Sequence, residues 1–429
     1  MAHGAPVAAP VSGPAEGYRT GRVVRLASTA ALGGFLFGFD SAVINGANTA
    51  IAETFNLGSG LMAFVVSIAL IGSAVGAWFA GQLADSFGRC RVMLIAALLF
   101  GASAIGTAFP PNVEILMVWR LIGGAGIGVA SVVAPMYIAE ISPSQLRGRL
   151  GSLQQLAIVL GIFATGVSNY LIVSAAGSST SDWLLGIQAW RWMFLVMLIP
   201  ATVYFLMALR IPESPRYLVE KGHLDEARTV LESVFTTDQS SKVLSIQSTM
   251  DASHKFSMGD LRGPRFGLLP IVWIGILLSA FQQFVGINAV FYYSNLIWES
   301  VGFSQDQAFL TSMITNAINV ATTLVAIALI DRIGRKRLLL IGSSGMVIML
   351  AALTVIFGTA PQVANASGGT DPSLAGTSAT FAVLAFNAYV VFFGMSWGPV
   401  VWVLLGEMFP NRIRAAALAL AASAQWIAN

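Results

Sequence analysis

The sequence predicts an all-α polytopic membrane protein built from two homologous halves, on three observations: its composition, the spacing of its apolar runs and an internal repeat. Of 429 residues, 56% are hydrophobic and 10% charged, whereas a soluble domain carries about 25% charged residues. The mean hydropathy of +0.76 agrees. The 43 glycines and 16 prolines do not signal disorder here, because membrane helices tolerate both and small residues let helices approach closely. A single cysteine, Cys90, excludes an internal disulfide framework and a cysteine zinc cluster.

Residues 1–21 are rich in Ala, Gly and Pro and lack the apolar run and small-residue cleavage site of a secretory signal, so a disordered cytoplasmic tail is expected. Crossing the hydrocarbon layer takes about 20 apolar residues. Such segments are centred near residues 36, 72, 101, 128, 161, 199, 279, 319, 348, 392 and 422. They lack the polar flanks and amphipathic faces of helices buried in a soluble core. The expected organisation is an N-terminal six-helix half over 22–210, a cytoplasmic linker over 211–266 and a C-terminal half over 267–429.

Lysine and arginine fall in alternate loops: Arg19 to Arg25, Arg89 and Arg91, Arg147 and Arg149, Arg210 to Arg265, Arg332 to Arg337, and Arg412 and Arg414. The opposite loops, around 48–60, 111–114, 175–188, 290–306 and 359–378, contain neither residue. Cationic loops stay in the cytoplasm, so the amino terminus is expected there. The basic pI of about 9.1 thus reflects membrane topology rather than a nucleic-acid surface. Only Arg120 and Arg191 break the pattern, and Arg191 can snorkel from the outer start of the sixth crossing.

The pattern D-x-x-G-R-x-R occurs at Asp85 to Arg91 and again at Asp331 to Arg337. A second set, Glu140, Pro143 and Arg147, returns as Glu407, Pro410 and Arg414. Two motifs in the same order at cytoplasmic helix ends imply two halves of like orientation. Two crossings follow the second motif in the first half, so a six-plus-six plan is implied, with the eleventh helix truncated and the twelfth absent. The residues Asp85, Arg89, Glu140, Arg147, Asp331, Arg335, Glu407 and Arg414 are expected either to stabilise their loops or to latch the cytoplasmic side, the latch being favoured.

Asp40 lies inside the first crossing and Arg120 opens the fourth. A charge near the bilayer centre costs at least ~2.5 kcal/mol, so each should face the interior and find a partner, and the two suit one another. Burial disfavours a charged carboxylate and a nearby guanidinium favours it, so a change in their separation could load or release a proton. The alternative is a static bridge between helices. His3, His223 and His254 all fall in cytoplasmic segments, which leaves Asp40 as the proton carrier.

The seventh crossing carries Gln282, Gln283, Asn288, Tyr292 and Tyr293 around Gly286. Neutral amides donate and accept, which suits an uncharged ligand with many hydroxyls. On an ideal helix Gln283 and Asn288 would lie on different faces, so a break near Gly286 is expected. Gln155, Asn319, Trp402, Gln425 and Trp426 add amides and flat rings from other crossings, and rings pack on the C–H face of a sugar. Singly, each buried amide could instead join helices. The glycines Gly123, Gly124, Gly126 and Gly128 lack the strand and acidic residue of a nucleotide fingerprint and suit tight helix packing. No Walker sequence, metal motif or nucleophile elbow supports an enzyme or a cofactor site.

Several stretches resemble the sugar porters of the major facilitator superfamily: Gly34 to Asp40, Gly81 to Arg91, Arg120 to Arg149, Pro212 to Arg216, Gln282 to Asn288, Asp331 to Arg335, Ser396 to Trp402 and Gln425–Trp426. The resemblance implies the major facilitator fold and a monosaccharide site lined by Gln155, Gln282, Gln283, Asn288, Trp402, Gln425 and Trp426, with Phe37, Tyr292, Asn319 and Gly398 close by. It also implies that Asp40 marks proton-coupled bacterial permeases for xylose and glucose, and that Leu224, Ala227, Leu231 and Val234 belong to short linker helices. Ser86 and Cys90 depart from the family's basic loop residues, and Phe39 from a frequent tyrosine. The expected function is sugar:proton symport by a monomer in the cell membrane. The rivals are a facilitative uniporter, a non-transporting sugar sensor and, remotely, a membrane enzyme.

Overall fold

The computed structural model describes residues 17–143, 146–236, 243–244, 246–247, 261–263, 267–364, 370–374, 376–410 and 413–429. Among these, ten segments are long and apolar enough to cross a membrane, matching the ten complete crossings read from the sequence. The first five are α1 (Thr20–Phe55), α2 (Ser59–Phe87), α3 (Arg89–Ala108), α4 (Val113–Ile141) and α5 (Arg147–Ala176). The sixth is two pieces, α6 (Ala189–Leu195) and α7 (Leu198–Ala208), followed by the short α8 (Pro215–Glu220) and α9 (Leu224–Val234). The second half repeats the scheme with α10 (Pro270–Phe284) and α11 (Ile287–Ser300) as one crossing, then α12 (Gln305–Ile333) and α13 (Arg335–Gly358). A two-stranded ribbon of β1 (Gln362–Ala364) and β2 (Thr370–Pro372) precedes the tenth crossing, α14 (Gly376–Gly394) plus α15 (Trp397–Met408). The short segment expected near residue 422 is α16 (Arg414–Ala428), 15 residues long.

Helices in lipid gain little from burying apolar surface against each other, so they associate by close packing of small residues. The N-terminal half shows this directly. A side chain added at Gly124 or Gly128 of α4 would overlap carbonyls of Ala69 or Ser73 on α2, and one added at Gly72 or Gly76 of α2 would overlap α4. Gly38 of α1 and Gly161 of α5 meet the facing backbone in the same way. The glycine run of α4 is therefore a packing seam.

The repeated basic loops have the same backbone solution in both halves. Gly88 (φ +92°) and Gly334 (φ +88°) each end one crossing and begin the next in a conformation that strains any residue with a Cβ.

Residues 211–236 of the expected linker dock on the N-terminal half, with Ala227, Val230, Leu231 and Val234 buried in its core and Leu224 exposed. Residues 237–242, 245, 248–260 and 264–266 of that stretch lie outside the described residues, as do residues 1–16 of the expected tail. Residues 17–21 correct the tail expectation. Arg19 N donates to the Val234 carbonyl at 2.8 Å, Thr236 N donates to the Gly17 carbonyl at 2.9 Å, and α1 already begins at Thr20. The peptide groups beyond the last apolar turn find partners on α9 and its C-terminal end, which orders the chain there.

Candidate functional site

The seventh crossing breaks where the sequence predicts. α10 ends at Phe284, Gly286 takes φ +89°, and α11 restarts at Ile287. The turn brings Asn288 onto Gln283, whose Oε1 accepts a hydrogen bond from the Asn288 amide, while Gln283 Nε2 lies 3.5 Å from Gln282 Oε1. Gln282 Nε2 in turn donates to the carbonyls of Trp397 (2.8 Å) and Gly398 (3.2 Å).

Those carbonyls belong to a second break, between α14 and α15 around Ser396. Tyr389 of α14 reciprocates by donating its hydroxyl to the Val285 carbonyl at 2.7 Å. The break at the end of α10 leaves the Val285 carbonyl without a helical continuation, and the Tyr389 hydroxyl satisfies it, while Gln282 ties that break to the first turn of α15. Gln282 is thus held in place by structure, whereas Gln283 and Asn288 are half-buried beside it. Phe37 and Trp426 meet with ring centroids 5.6 Å apart. Gln425 is half-buried with Oε1 lacking a protein partner, and Tyr292 is half-buried. Gln155, Asn319 and Trp402 make no side-chain hydrogen bond to these amides; Asn319 is buried, Gln155 half-buried and Trp402 exposed.

Asp40 and Arg120 do meet. Arg120 Nη1 lies 3.5 Å from Asp40 Oδ1 and 3.4 Å from the Asp40 carbonyl, with both side chains at most 2% exposed. Asp40 Oδ2 and Arg120 Nε have no protein partner. Arg120 and Tyr292, the latter expected beside the sugar, both line one small cleft with Ser41, Ile44, Val66 and Ile127.

At the basic end the repeat forms two equivalent knots. Arg89 grips Glu140 with two 2.9 Å bonds and reaches Asp85 at 3.3 Å, and Arg335 grips Glu407 at 2.8 and 3.0 Å. Each pair lies within its own half, so the expected latch does not bridge the halves through these described residues. The side chains of Arg147, Asp331 and Arg414 lie outside them. The sequence did not reveal the role of Glu213, which accepts bonds from the Arg89 and Cys90 amides at the start of α3 (2.9 and 3.1 Å). Ser214 beside it donates to Glu140. A carboxylate at a helix N-terminus is the signal that could have found it.

Sequence reading also missed the contacts joining the halves at the far end. Asn45 Nδ2 donates to Ser294 (2.9 Å), the Asn295 amide donates to Asn45 Oδ1 (3.1 Å) and Asn48 donates to the Tyr292 carbonyl (2.8 Å). Thr49 donates to Glu299 (3.1 Å), and Gln305 bridges to Ser179 (3.0 Å). These bonds join the two halves at the far end, while no described ion pair joins them at the basic end.

The family model for sugar (and other) transporters matches residues 26–429. The chain belongs to the sugar transporter family. Within that family it is 53% identical over 422 residues to a glucose transport protein of Synechocystis sp. PCC 6803, covering 98% of this chain and 89% of the relative. It is 38% identical to the D-xylose-proton symporter of Escherichia coli K12, covering 96% of this chain and 84% of that protein. The solved structure of the major facilitator superfamily proton:xylose symporter XylE bound to 6-bromo-6-deoxy-D-glucose matches with a TM-score of 0.79 at 36% identity, covering 96% of this chain and 87% of that one. A partially occluded inward-open form of XylE from E. coli matches at 0.78 and 35% identity, covering 95% and 89%. The major facilitator fold of this multi-pass membrane protein is thereby established.

Proposed function

We propose that this chain moves a monosaccharide, a hexose or a pentose, across the cell membrane by alternating access and couples its entry to a proton. The observation that carries the sugar assignment is the break at Gly286, which joins Gln282, Gln283 and Asn288 into one uncharged donor-and-acceptor array. Gln155, Trp402, Gln425 and Trp426 complete the sugar-binding set, with Phe37, Tyr292, Asn319 and Gly398 at its edge. Relatives named for glucose, xylose and arabinose transport support that choice of solute.

Asp40 carries the proton and Arg120 tunes its retention, because an aspartate buried against a single guanidinium gains or loses charge as their contact changes. The cleft from Arg120 to Tyr292 provides the link to sugar binding. The basic end faces the cytoplasm under the positive-inside rule. The far end is then the closed outer gate, and the knots of Asp85, Arg89, Glu140 and Arg147, and of Asp331, Arg335, Glu407 and Arg414, approach one another when the inner side shuts.

Uptake of labelled glucose and xylose in a strain lacking its own sugar permeases tests this. Symport predicts uphill accumulation that a protonophore abolishes and that Asp40→Asn reduces to exchange. Accumulation insensitive to both treatments would overturn the proton assignment. No uptake of either sugar despite membrane expression would overturn the sugar assignment.

A further inference from the structure

Asp40 Oδ2 lies at the seam between α3 and α4. A Cβ built at Gly123 would come 3.2 Å from Asp40 Oδ2 and would also overlap Ser103 Oγ of α3. The carboxylate and the hydroxyl therefore line the same notch, yet no hydrogen bond joins them. A buried carboxylate oxygen without a protein partner beside a hydroxyl supplies the two polar contacts that a bridging water needs. Ser103 Oγ itself donates to the Trp119 carbonyl at 2.9 Å.

One turn beyond Ser103, on the same face of α3 and about 6 Å further toward the far end, lies Thr107. Its side chain is buried, and its hydroxyl has no partner, not even the backbone carbonyl four residues earlier that buried helical threonines commonly use. Thr107 precedes the last residue of α3. The charged groups near this seam are Arg120 on α4, Glu114 in the first turn of α4, and Arg191 of α6, which donates to the Ala108 carbonyl at 2.7 Å.

We propose that Thr107 and Ser103 form a hydroxyl relay that delivers protons from the outer surface to Asp40 behind α1, by a route separate from the sugar cavity. This rests on the symport reading above. In one transfer, the water in the Gly123 notch gives a proton to Asp40 Oδ2 and regains one from Ser103, whose hydroxyl turns from the Trp119 carbonyl. Ser103 is reprotonated through water from Thr107, and Thr107 from the outer solvent, so one proton enters and every hydroxyl is restored. Such a route lets Asp40 be loaded while the outer gate over the sugar site is shut, which a shared pathway does not.

Ser103 and Thr107 pass the proton and do not touch the sugar, so their test separates proton movement from sugar movement. The protein is reconstituted in liposomes with a pH dye inside, and sugar-driven proton uptake is compared with sugar exchange at equal sugar on both sides. Ser103→Ala combined with Thr107→Val is expected to slow proton uptake about tenfold, the rate effect of roughly one lost hydrogen bond per transfer, with exchange unchanged. Thr107→Ser, which keeps the hydroxyl, is expected to retain the original proton rate. Wild-type proton uptake in the double variant, with Asp40→Asn inactive in proton uptake, would refute the relay and leave symport standing. An equal fall in exchange and proton uptake, or a Thr107→Ser variant as slow in proton uptake as the double variant, would also refute the relay by showing a packing fault. Coupled proton uptake persisting in Asp40→Asn would instead refute the symport reading.

Discussion

Replacing Glu140 by glutamine should destabilise the protein far more than the same change at Glu407, although the two residues hold equivalent places in the repeat. In the first half the arginine and glutamate side chains are only 4% and 9% exposed; in the second they are 27% and 50% exposed. The difference arises because Pro212 to Ser214 cover the first knot, with Ser214 bonded to Glu140 and Glu213 to the amides of α3. Glu140→Gln leaves the Arg89 guanidinium buried, with Asp85, 60% exposed, as its remaining carboxylate. Breaking a buried pair from one side costs about 3–5 kcal/mol, and the residual Asp85 contact places this case near the lower bound. An exposed pair contributes about 0–1 kcal/mol, so Glu407→Gln should lie within that range. Thermal unfolding of the two variants in the same detergent is the assay. A fall in Tm of roughly 5 °C or more is expected for Glu140→Gln, against about 2 °C or less for Glu407→Gln. Equal falls would refute the claim that the linker's cover, rather than the motif, sets the strength of each knot.

Gly286→Ala meets no steric obstacle but forces a side chain into a left-handed conformation, a strain of about 1–2 kcal/mol. Weaker sugar binding, measured by tryptophan fluorescence titration, is expected with little change in folding. Gly38→Leu should prevent α1 from packing on the Ile158 carbonyl of α5 and abolish the folded, monodisperse protein in size-exclusion chromatography, whereas Gly60→Ala, in open space, should not. Asn45→Ala removes the bonds to Ser294 and the Asn295 amide, a loss of about 1–3 kcal/mol to the contacts proposed to form the outer gate. A cysteine placed at Phe291, in a background carrying Cys90→Ala, should then react faster with a membrane-impermeant maleimide added outside; an unchanged rate would show that these bonds do not hold the gate.

The membrane class, ten crossings, the repeat and the break at Gly286 are legible along the chain alone. Each rests on a property local to the chain: apolar length, the alternation of cationic loops, or a glycine between amides that need one face. The sequence also marked Asp40 and Arg120 as partners, because a charge placed in hydrocarbon requires one. Which backbone groups those amides serve depends on how distant helices pack. Gln282 is spent on the Trp397 and Gly398 carbonyls of a second broken helix, and nothing along the chain links residues 115 apart. The unequal burial of two identical charge motifs, the contacts from Asn45 to α11 and the notch at Gly123 likewise exist only between helices. A sequence specifies the groups that must be satisfied; the packing of distant segments selects the partners that satisfy them.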